Sequence, residues 1–523
     1  MKFSAHVFRR LWDLHAWMGM LTSLLLHIMI VCGAITLFYG PLSTWGDPLG
    51  QRSAPFSSQQ GMLEAFGPRS PDFYLYLPDD AHGLPKVLYV PSGSEDWEHE
   101  WLTDAPGGVL PERERLAGFL YDLHFLWHRL TPDLELLAGF LAVALLVASV
   151  TGLAIHLKDL RRQFFQVRAN RGPRVLWSDL HKVIGVMTLP FQLVYAYTGA
   201  LMVLAPVLLS NVMEPVFGGD AQRAIAAAGQ FAEELLEEAP KGEPGRPAAM
   251  LPLDKLSALA VAAEPRLRPD SFLFTHYGYD RGTVDVRGTI VGTAFADRLT
   301  RHSWVRLGLT DGRVLDIEAP GTSSASSSTW RWIQGFHLAR YGGTAVRALL
   351  FALALLTSLV ILTGNWIWIE RRKARADEFG DWLLQRLTAG IGAGLFVAIA
   401  ALFVASRVFP LDWAARGDAE VLVFVTTLGG CVLLTLFIDP RRAWGQLLGS
   451  AGLLLSATPV LATRMSPAGL FGSGPRLNEV VAVDVGLLLL ALLLLAAAWG
   501  LLRRSPTVAP STSLSEPAPL VRS

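Results

Sequence analysis

Residues 11–25, LWDLHAWMGMLTSLL, and residues 176–190, LWSDLHKVIGVMTLP, are one stretch written twice with a single residue inserted. Each sets a tryptophan and a histidine ahead of an apolar run, and each has a small triplet with glycine eighteen residues after its histidine. These triplets are Cys32-Gly33-Ala34 after His15 and Thr198-Gly199-Ala200 after His181. Further out, YDLHFLWHRLTPDLELLAGF (121–140), continuing to SVTGLAIHLKDLRR, matches QGFHLARYGGTAVRALLF (334–351), continuing to ILTGNWIWIERRK, so His124 pairs with His337. The repeated unit is an apolar span, a long polar segment and a second span, used twice in the same orientation. A duplicated scaffold without chemistry would leave the same trace, so function must be argued from what the repeat carries.

Composition says where such a chain lives. The 523 residues are 51 % hydrophobic and 17 % charged, with mean hydropathy +0.37, whereas soluble domains carry about 25 % charged residues. This is a membrane protein. Basic and acidic residues balance at 45 each, which gives no global basic surface for nucleic acid. Cys32 and Cys431 lie in separate apolar runs, leaving no disulfide framework, no CxxC pair and no CxxCH for covalent haem.

A helix needs about 20 apolar residues to cross a bilayer, and eight runs qualify as spans: 15–38, 134–157, 182–209, 345–369, 388–408, 420–438, 445–463 and 481–502. The first is too long for a signal-peptide core, contains His27 and lacks a small-x-small cleavage site, so it reads as an uncleaved span. Orientation follows from Lys2, Arg9 and Arg10 before the first span, Lys158 to Arg174 after the second, Arg371 to Lys373 after the fourth, Arg441 and Arg442 after the sixth, and Arg503 and Arg504 after the eighth. The positive-inside rule then places both termini in the cytoplasm and segments 41–114 and 210–330 on the opposite face, the periplasm of a Gram-negative host. Both segments carry short alternating runs such as FYLYLPDD, KVLYVPSG, SFLFTHYGYD and GTVDVRGTIVGTAF, the pattern of strands. The expected fold is a predominantly α-helical polytopic inner-membrane protein with eight transmembrane helices and two small α/β outer domains.

The corresponding divisions are 1–40 (first span), 41–115 (first outer domain), 116–209 (second and third spans), 210–330 (second outer domain), 331–375 (fourth span), 385–504 (four further spans) and 505–523 (disordered tail). Within the second outer domain, 221–262 reads as two helices, and GTSSASSST at 321–329 as a flexible link.

All twelve histidines lie at or before position 337. His15, His156 and His181 fall near inner span ends, His124, His128 and His337 near outer ones, and His27 mid-span. Ionisable residues inside a membrane are expensive and mark function, and imidazole is an axial ligand of haem iron. A b-type haem needs only two imidazoles facing one another from different helices. The repeat supplies two such pairs, His15 with His181 and His124 with His337, one near each face. The other three are secondary: His27 points about 120° away from His15 on its helix, His128 shares the His124 face one turn on, and His156 corresponds to Trp368, so the repeat does not require an imidazole there. His82, His99, His276 and His302 show no zinc-like spacing. With no GxGxxG, GxxxxGK[ST], GxSxG or HExxH, the electron donor would be a quinol or a separate protein. Spans five to eight carry almost no ionisable group apart from Asp484 and read as scaffold or docking surface.

At LHAWMGM, DLHFLWHRL, DLHKVIGVMTLP and GFHLARYGG, each followed by a span ending in (C/T)GA or TG, the chain resembles the PepSY-associated transmembrane family over about residues 1–375. The resemblance implies a four-helix core, PepSY-like outer domains, helix-start histidines mapping onto His15, His124, His181 and His337, and membership among iron-regulated inner-membrane proteins, some of them haem-containing ferric-siderophore reductases. The leading expectation is therefore a membrane electron-transfer protein with two b haems that reduces a periplasmic ferric siderophore. Two alternatives stand beside it: a non-enzymatic protein whose outer domains bind a peptide or protein, and a transporter or its accessory subunit.

Overall fold

The computed structural model describes residues 4–46, 56–78, 84–91, 98–103, 109–111, 115–126, 132–157, 166–220, 223–224, 227, 243–291, 303–319, 325–372, 378–410, 413–462 and 475–503. His82, His128 and His302, most of the expected helix after residue 221 and the tail beyond 504 lie outside the described residues.

Apolar runs become helices because a helix is the only open-ended segment that satisfies its own backbone in lipid. In chain order the helices are α1 (Ala5–Thr36), α2 (Tyr39–Gly46), α3 (Gln59–Phe66), α4 (Leu116–His124), α5 (Pro132–His156), α6 (Pro173–Met187), α7 (Leu189–Phe217), α8 (Leu253–Ala263), α9 (Ala325–His337), α10 (Thr344–Arg372), α11 (Phe379–Gly392), α12 (Gly394–Val408), α13 (Arg416–Phe437), α14 (Pro440–Ala462) and α15 (Pro475–Arg503). Among the described residues six stretches are long and apolar enough to cross a membrane: α1, α5, α10, α11 with α12, α13 and α15. A seventh arises if α6 and α7 form one span, although the chain bends there by 66°. Pro190, in the first turn of α7, has no N–H to continue the α6 ladder. The seventh expected span, 445–463, is present as the helix α14, which has Pro459 in its interior and is not among the qualifying stretches. A polytopic membrane protein is thus supported, with fewer qualifying spans than eight.

The two outer segments do not form two separate sheets. Each contributes four strands, β1 (Phe73–Tyr76), β2 (Lys86–Tyr89), β3 (Glu98–Leu102) and β4 (Val109–Pro111) from the first, and β5 (Leu267–Thr275), β6 (Thr283–Ile290), β7 (Ser303–Gly308) and β8 (Val314–Glu318) from the second. They join edge to edge in one antiparallel sheet of order β4-β3-β2-β1-β5-β6-β7-β8. At the joint Phe73 opposes Phe274, Tyr74 Leu273, Leu75 Phe272 and Tyr76 Ser271, and the Phe73 and Phe274 rings stack at 4.5 Å. Alternation turns Phe73, Leu75, Val87, Phe274, Val284 and Leu307 to one face, where they share a core with Leu63 and Phe66 of α3 and Leu253 and Leu256 of α8. The helices also cross-cap: Asp254 of α8 accepts from the Gln59 and Gln60 amides at the start of α3, and the Gln60 side chain accepts from the Leu253 amide. Two exposed sheet edges are thereby removed where the segments meet.

Each half of the sheet feeds a short helix that ends on a histidine. β4 leads into α4 and His124, β8 into α9 and His337. The expected flexible link at 321–329 is helical from Ala325 onward, and Arg331 of α9 pairs with Glu318 of β8 at 2.6 Å, both side chains buried.

The helices after residue 378 pack on the repeated core through polar contacts. Asn365 of α10 donates to Ser23 of α1 (3.0 Å) and Thr388 of α11 (3.2 Å). They are also less free of charge than expected. Besides Asp484, the residues Arg407, Arg416 and Glu420 are buried: Arg416 pairs with Glu420 at 2.9 Å and donates to the Ser406 carbonyl, Trp45 donates to Asp484 at 2.9 Å, and Arg407 lies over the Trp45 ring. Span hydropathy hides Arg407, Arg416 and Glu420 because they sit toward helix ends, where the two arginines donate to the carbonyls of Trp45 and Ser406.

Candidate functional site

The histidines singled out by the repeat come together in the expected pairs. The rings of His15 (α1) and His181 (α6) are 6.0 Å apart, centre to centre, at 78°, and those of His124 (α4) and His337 (α9) are 6.0 Å apart at 28°. His124 bonds to the Met29 carbonyl, and Met29 lies fourteen residues beyond His15 on α1, about 21 Å at 1.5 Å per residue. One pair is therefore near the sheet and the other far from it. We call these the proximal and distal pairs.

Each histidine is held in one way. Nδ1 of His15 donates to the Ala148 carbonyl (2.9 Å), Nδ1 of His181 to the Val360 carbonyl (2.9 Å), Nδ1 of His124 to the Met29 carbonyl (2.8 Å) and Nδ1 of His337 to the Thr198 hydroxyl (2.9 Å). Thr198 has already given its own proton to the Val194 carbonyl, so it can only accept. With Nδ1 protonated in all four, the lone pair resides on Nε2, the arrangement by which an outer bond orients a metal-binding imidazole.

Beside each ring lies the glycine of a (C/T)G pair. A Cβ at Gly152 would sit 2.9 Å from Cε1 of His15, at Gly199 2.9 Å from Cε1 of His337, at Gly33 2.6 Å from Cε1 of His124, and at Gly364 3.5 Å from Cε1 of His181. The TG and CG motifs are thus the cradles of the histidines, and the cradles obey the repeat: α5 holds the α1 histidine as α10 holds the α6 histidine, and α1 holds the α4 histidine as α7 holds the α9 histidine. Both proximal histidines also close their helices in the same manner. Two residues on, the chain turns through a left-handed non-glycine residue, Leu126 (φ 56°) and Ala339 (φ 51°), a conformation that costs about 1–2 kcal/mol and is kept twice.

The distal pair opens into a cavity of about 200 Å³ enclosed by α1, α5, α6, α7 and α10. Gly19 and Gly185, four residues after His15 and His181, line it together with Gly152 and Gly364. The pattern His-x-x-x-Gly, present in both halves as His15/Gly19 and His181/Gly185, puts a bare backbone on the histidine face one turn away. His156 lines the same cavity. His27 does not: it is fully buried at the seam with the added helices, bonded through Nδ1 to Ser358 at 2.6 Å and edge-on to Phe396 at 6.1 Å, with Nε2 unpaired. It belongs to neither pair.

Two imidazoles sharing one metal need about 2 Å for each metal–nitrogen bond and about 1 Å more from each nitrogen to its ring centre, hence about 6 Å between centres. Both pairs meet that separation. Among the described residues no group of three or more His, Cys, Asp or Glu could hold a metal ion.

The family model for the PepSY-associated TM region matches residues 12–371. An uncharacterized protein of Pseudomonas aeruginosa is 30 % identical over 388 residues, covering 70 % of this chain and 90 % of that protein.

Proposed function

The chain belongs to the PepSY-associated TM region family, and from that premise we propose that it is an inner-membrane electron-transfer protein that holds two b haems, one per histidine pair, and reduces a ferric siderophore outside the membrane. The observation that carries the reading is the doubled geometry: two imidazole pairs at 6.0 Å, every Nδ1 tethered, every ring lodged on a glycine. Interfacial histidines serving as headgroup neighbours need neither matched spacing nor matched cradles.

In this reading both termini are cytoplasmic, the distal pair faces the cytoplasm, the sheet is periplasmic and eight helices cross the bilayer. When bound, the haems would supply one-electron transfer between the two faces. The chain's own part is to fix imidazole direction through Ala148, Val360, Met29 and Thr198, to clear ring space with Gly19, Gly152, Gly185 and Gly364, and to exclude water with surrounding apolar side chains. The proximal pair is joined to the sheet by α4 and α9, which brings the reducing end to where a periplasmic chelate can approach. Siderophores hold Fe(III) with hard oxygen donors, and one electron converts it to Fe(II), which those donors hold less tightly. The electron comes from a quinol or a protein donor.

The test uses protein reconstituted in liposomes with dithionite inside and a ferric hydroxamate siderophore plus an Fe(II)-specific chelator outside. The reading expects coloured Fe(II) complex to form outside, at a rate that falls to that of empty liposomes in His337→Ala. Formation at the same rate in both proteins would overturn it.

A further inference from the structure

Lys182 and Arg371 both line the distal cavity. On the premise that the distal pair holds a haem, we propose that these two side chains bind its two propionate carboxylates. Lys182 follows His181 directly, and Arg371 lies two helical turns beyond Gly364 on α10. Trp12, His156 and Trp368 line it as well, and most of the remaining wall is apolar, with Met20, Leu26, Leu145 and Ile361 beside the polar Thr22 and Gln192. A mostly apolar chamber with two cations on its wall fits a flat, apolar ligand carrying acid groups along one edge.

Charge balance supports the assignment. Among the described residues no Asp or Glu lines the cavity. Buried Asp179, next in the chain to the lining residue Ser178, pairs with Lys182 at 3.2 Å and also receives two bonds from Arg168, at 2.9 and 2.8 Å. Arg168 and Lys182 thus share that carboxylate, two cations beside one buried acid. Arg371 is steadied over the Trp12 ring at 4.7 Å, a contact that orders the guanidinium without consuming its charge. Simple snorkelling to lipid phosphates predicts cations at this depth, but not both on the wall of the histidine chamber.

The experiment uses the purified full-length protein, with haem counted by pyridine haemochrome and midpoint potentials read by spectroelectrochemical titration. Lys182→Met and Arg371→Met are each expected to retain two haems, with the potential of one haem lowered and that of the other unchanged. Loss of a positive charge roughly 10 Å away at an effective dielectric near 20 corresponds to about a tenfold change in the reduction equilibrium, about 59 mV for a one-electron couple. The haem affected should be the one missing in His15→Ala. Lys182→Arg and Arg371→Lys keep the charge and should keep the potential. In a second arm, apoprotein titrated with haem dimethyl ester should bind it about tenfold more weakly than haem, and the double Met variant should bind the two equally. Unchanged potentials with equal affinity for haem and ester, in a protein carrying two haems, would overturn the propionate assignment and leave the parent reading intact. Wild-type protein without haem would overturn both.

Discussion

Gly152→Ala is the sharpest test of the cradle. A methyl group at Gly152 would stand 2.9 Å from Cε1 and 3.3 Å from Nδ1 of His15, where ordinary contact begins at 3.4 Å. The ring must retreat by about 0.5 Å, which stretches the 2.9 Å bond from Nδ1 to the Ala148 carbonyl to about 3.4 Å, beyond the normal range of 2.7–3.2 Å. The stability cost is that of one hydrogen bond, about 0.5–1.5 kcal/mol. The effect on ligation is larger, because loss of an outer tether typically lowers metal affinity by about 10–100-fold. Gly139→Ala provides the control on the same helix: its methyl would meet Val203 and Leu204 of α7 at 2.8 and 2.9 Å, damaging helix packing without touching a histidine. Haem titrated into apoprotein and followed by absorbance, with thermal unfolding in parallel, should show one weakened site in Gly152→Ala and two intact sites in Gly139→Ala. Equal haem binding in the two variants would refute the cradle argument.

Gly19→Leu meets no protein atom within 4 Å at its Cβ, so the fold should hold while the side chain fills the distal cavity; wild-type unfolding temperature with one haem lost is expected. His27→Ala leaves buried Ser358 without its partner and should cost about 1–3 kcal/mol, measured by denaturant unfolding, with two haems retained. Phe73→Ala removes a ring stacked at the joint of the two half-sheets and should cost about 3–5 kcal/mol; limited proteolysis should then cut both outer segments together, whereas independent domains would lose only the first. Glu264 is held below the usual carboxylate range chiefly by side-chain hydrogen bonds from Arg266. Its stabilising effect is present above about pH 4.3, its unfolded value, and is lost as pH falls through the lower folded value, so Glu264→Gln should flatten the acid limb of the outer domain's stability profile.

The histidine pairs and the repeat that generates them were legible because identity at matched positions survives in the residues themselves. The meaning of the TG and CG motifs was not: a glycine's role depends on what approaches it, and His15 meets Gly152 only after two helices pack. The single sheet was hidden for a similar reason. β1 and β5 pair across almost two hundred residues, and alternation announces a strand without naming its neighbour. The bend at Pro190 was written in the sequence, but a continuous apolar run outweighed it. His27 read as a mid-membrane functional residue, and its place at the seam with the added helices depended on Ser358 and Phe396, which lie far away in the chain. The buried charges at Arg407, Arg416 and Glu420 fall at span ends, where averaged hydropathy is least informative.

The central claim, that each histidine pair is one haem site, is met most directly by a reduced-minus-oxidised spectrum and pyridine haemochrome assay on wild-type protein and on His15→Ala, His181→Ala, His124→Ala and His337→Ala, all produced with ample haem. The account predicts two b haems in wild type, loss of one and the same haem in His15→Ala and His181→Ala, and loss of the other in His124→Ala and His337→Ala. No haem in wild type, or loss of different haems within one pair, would contradict it.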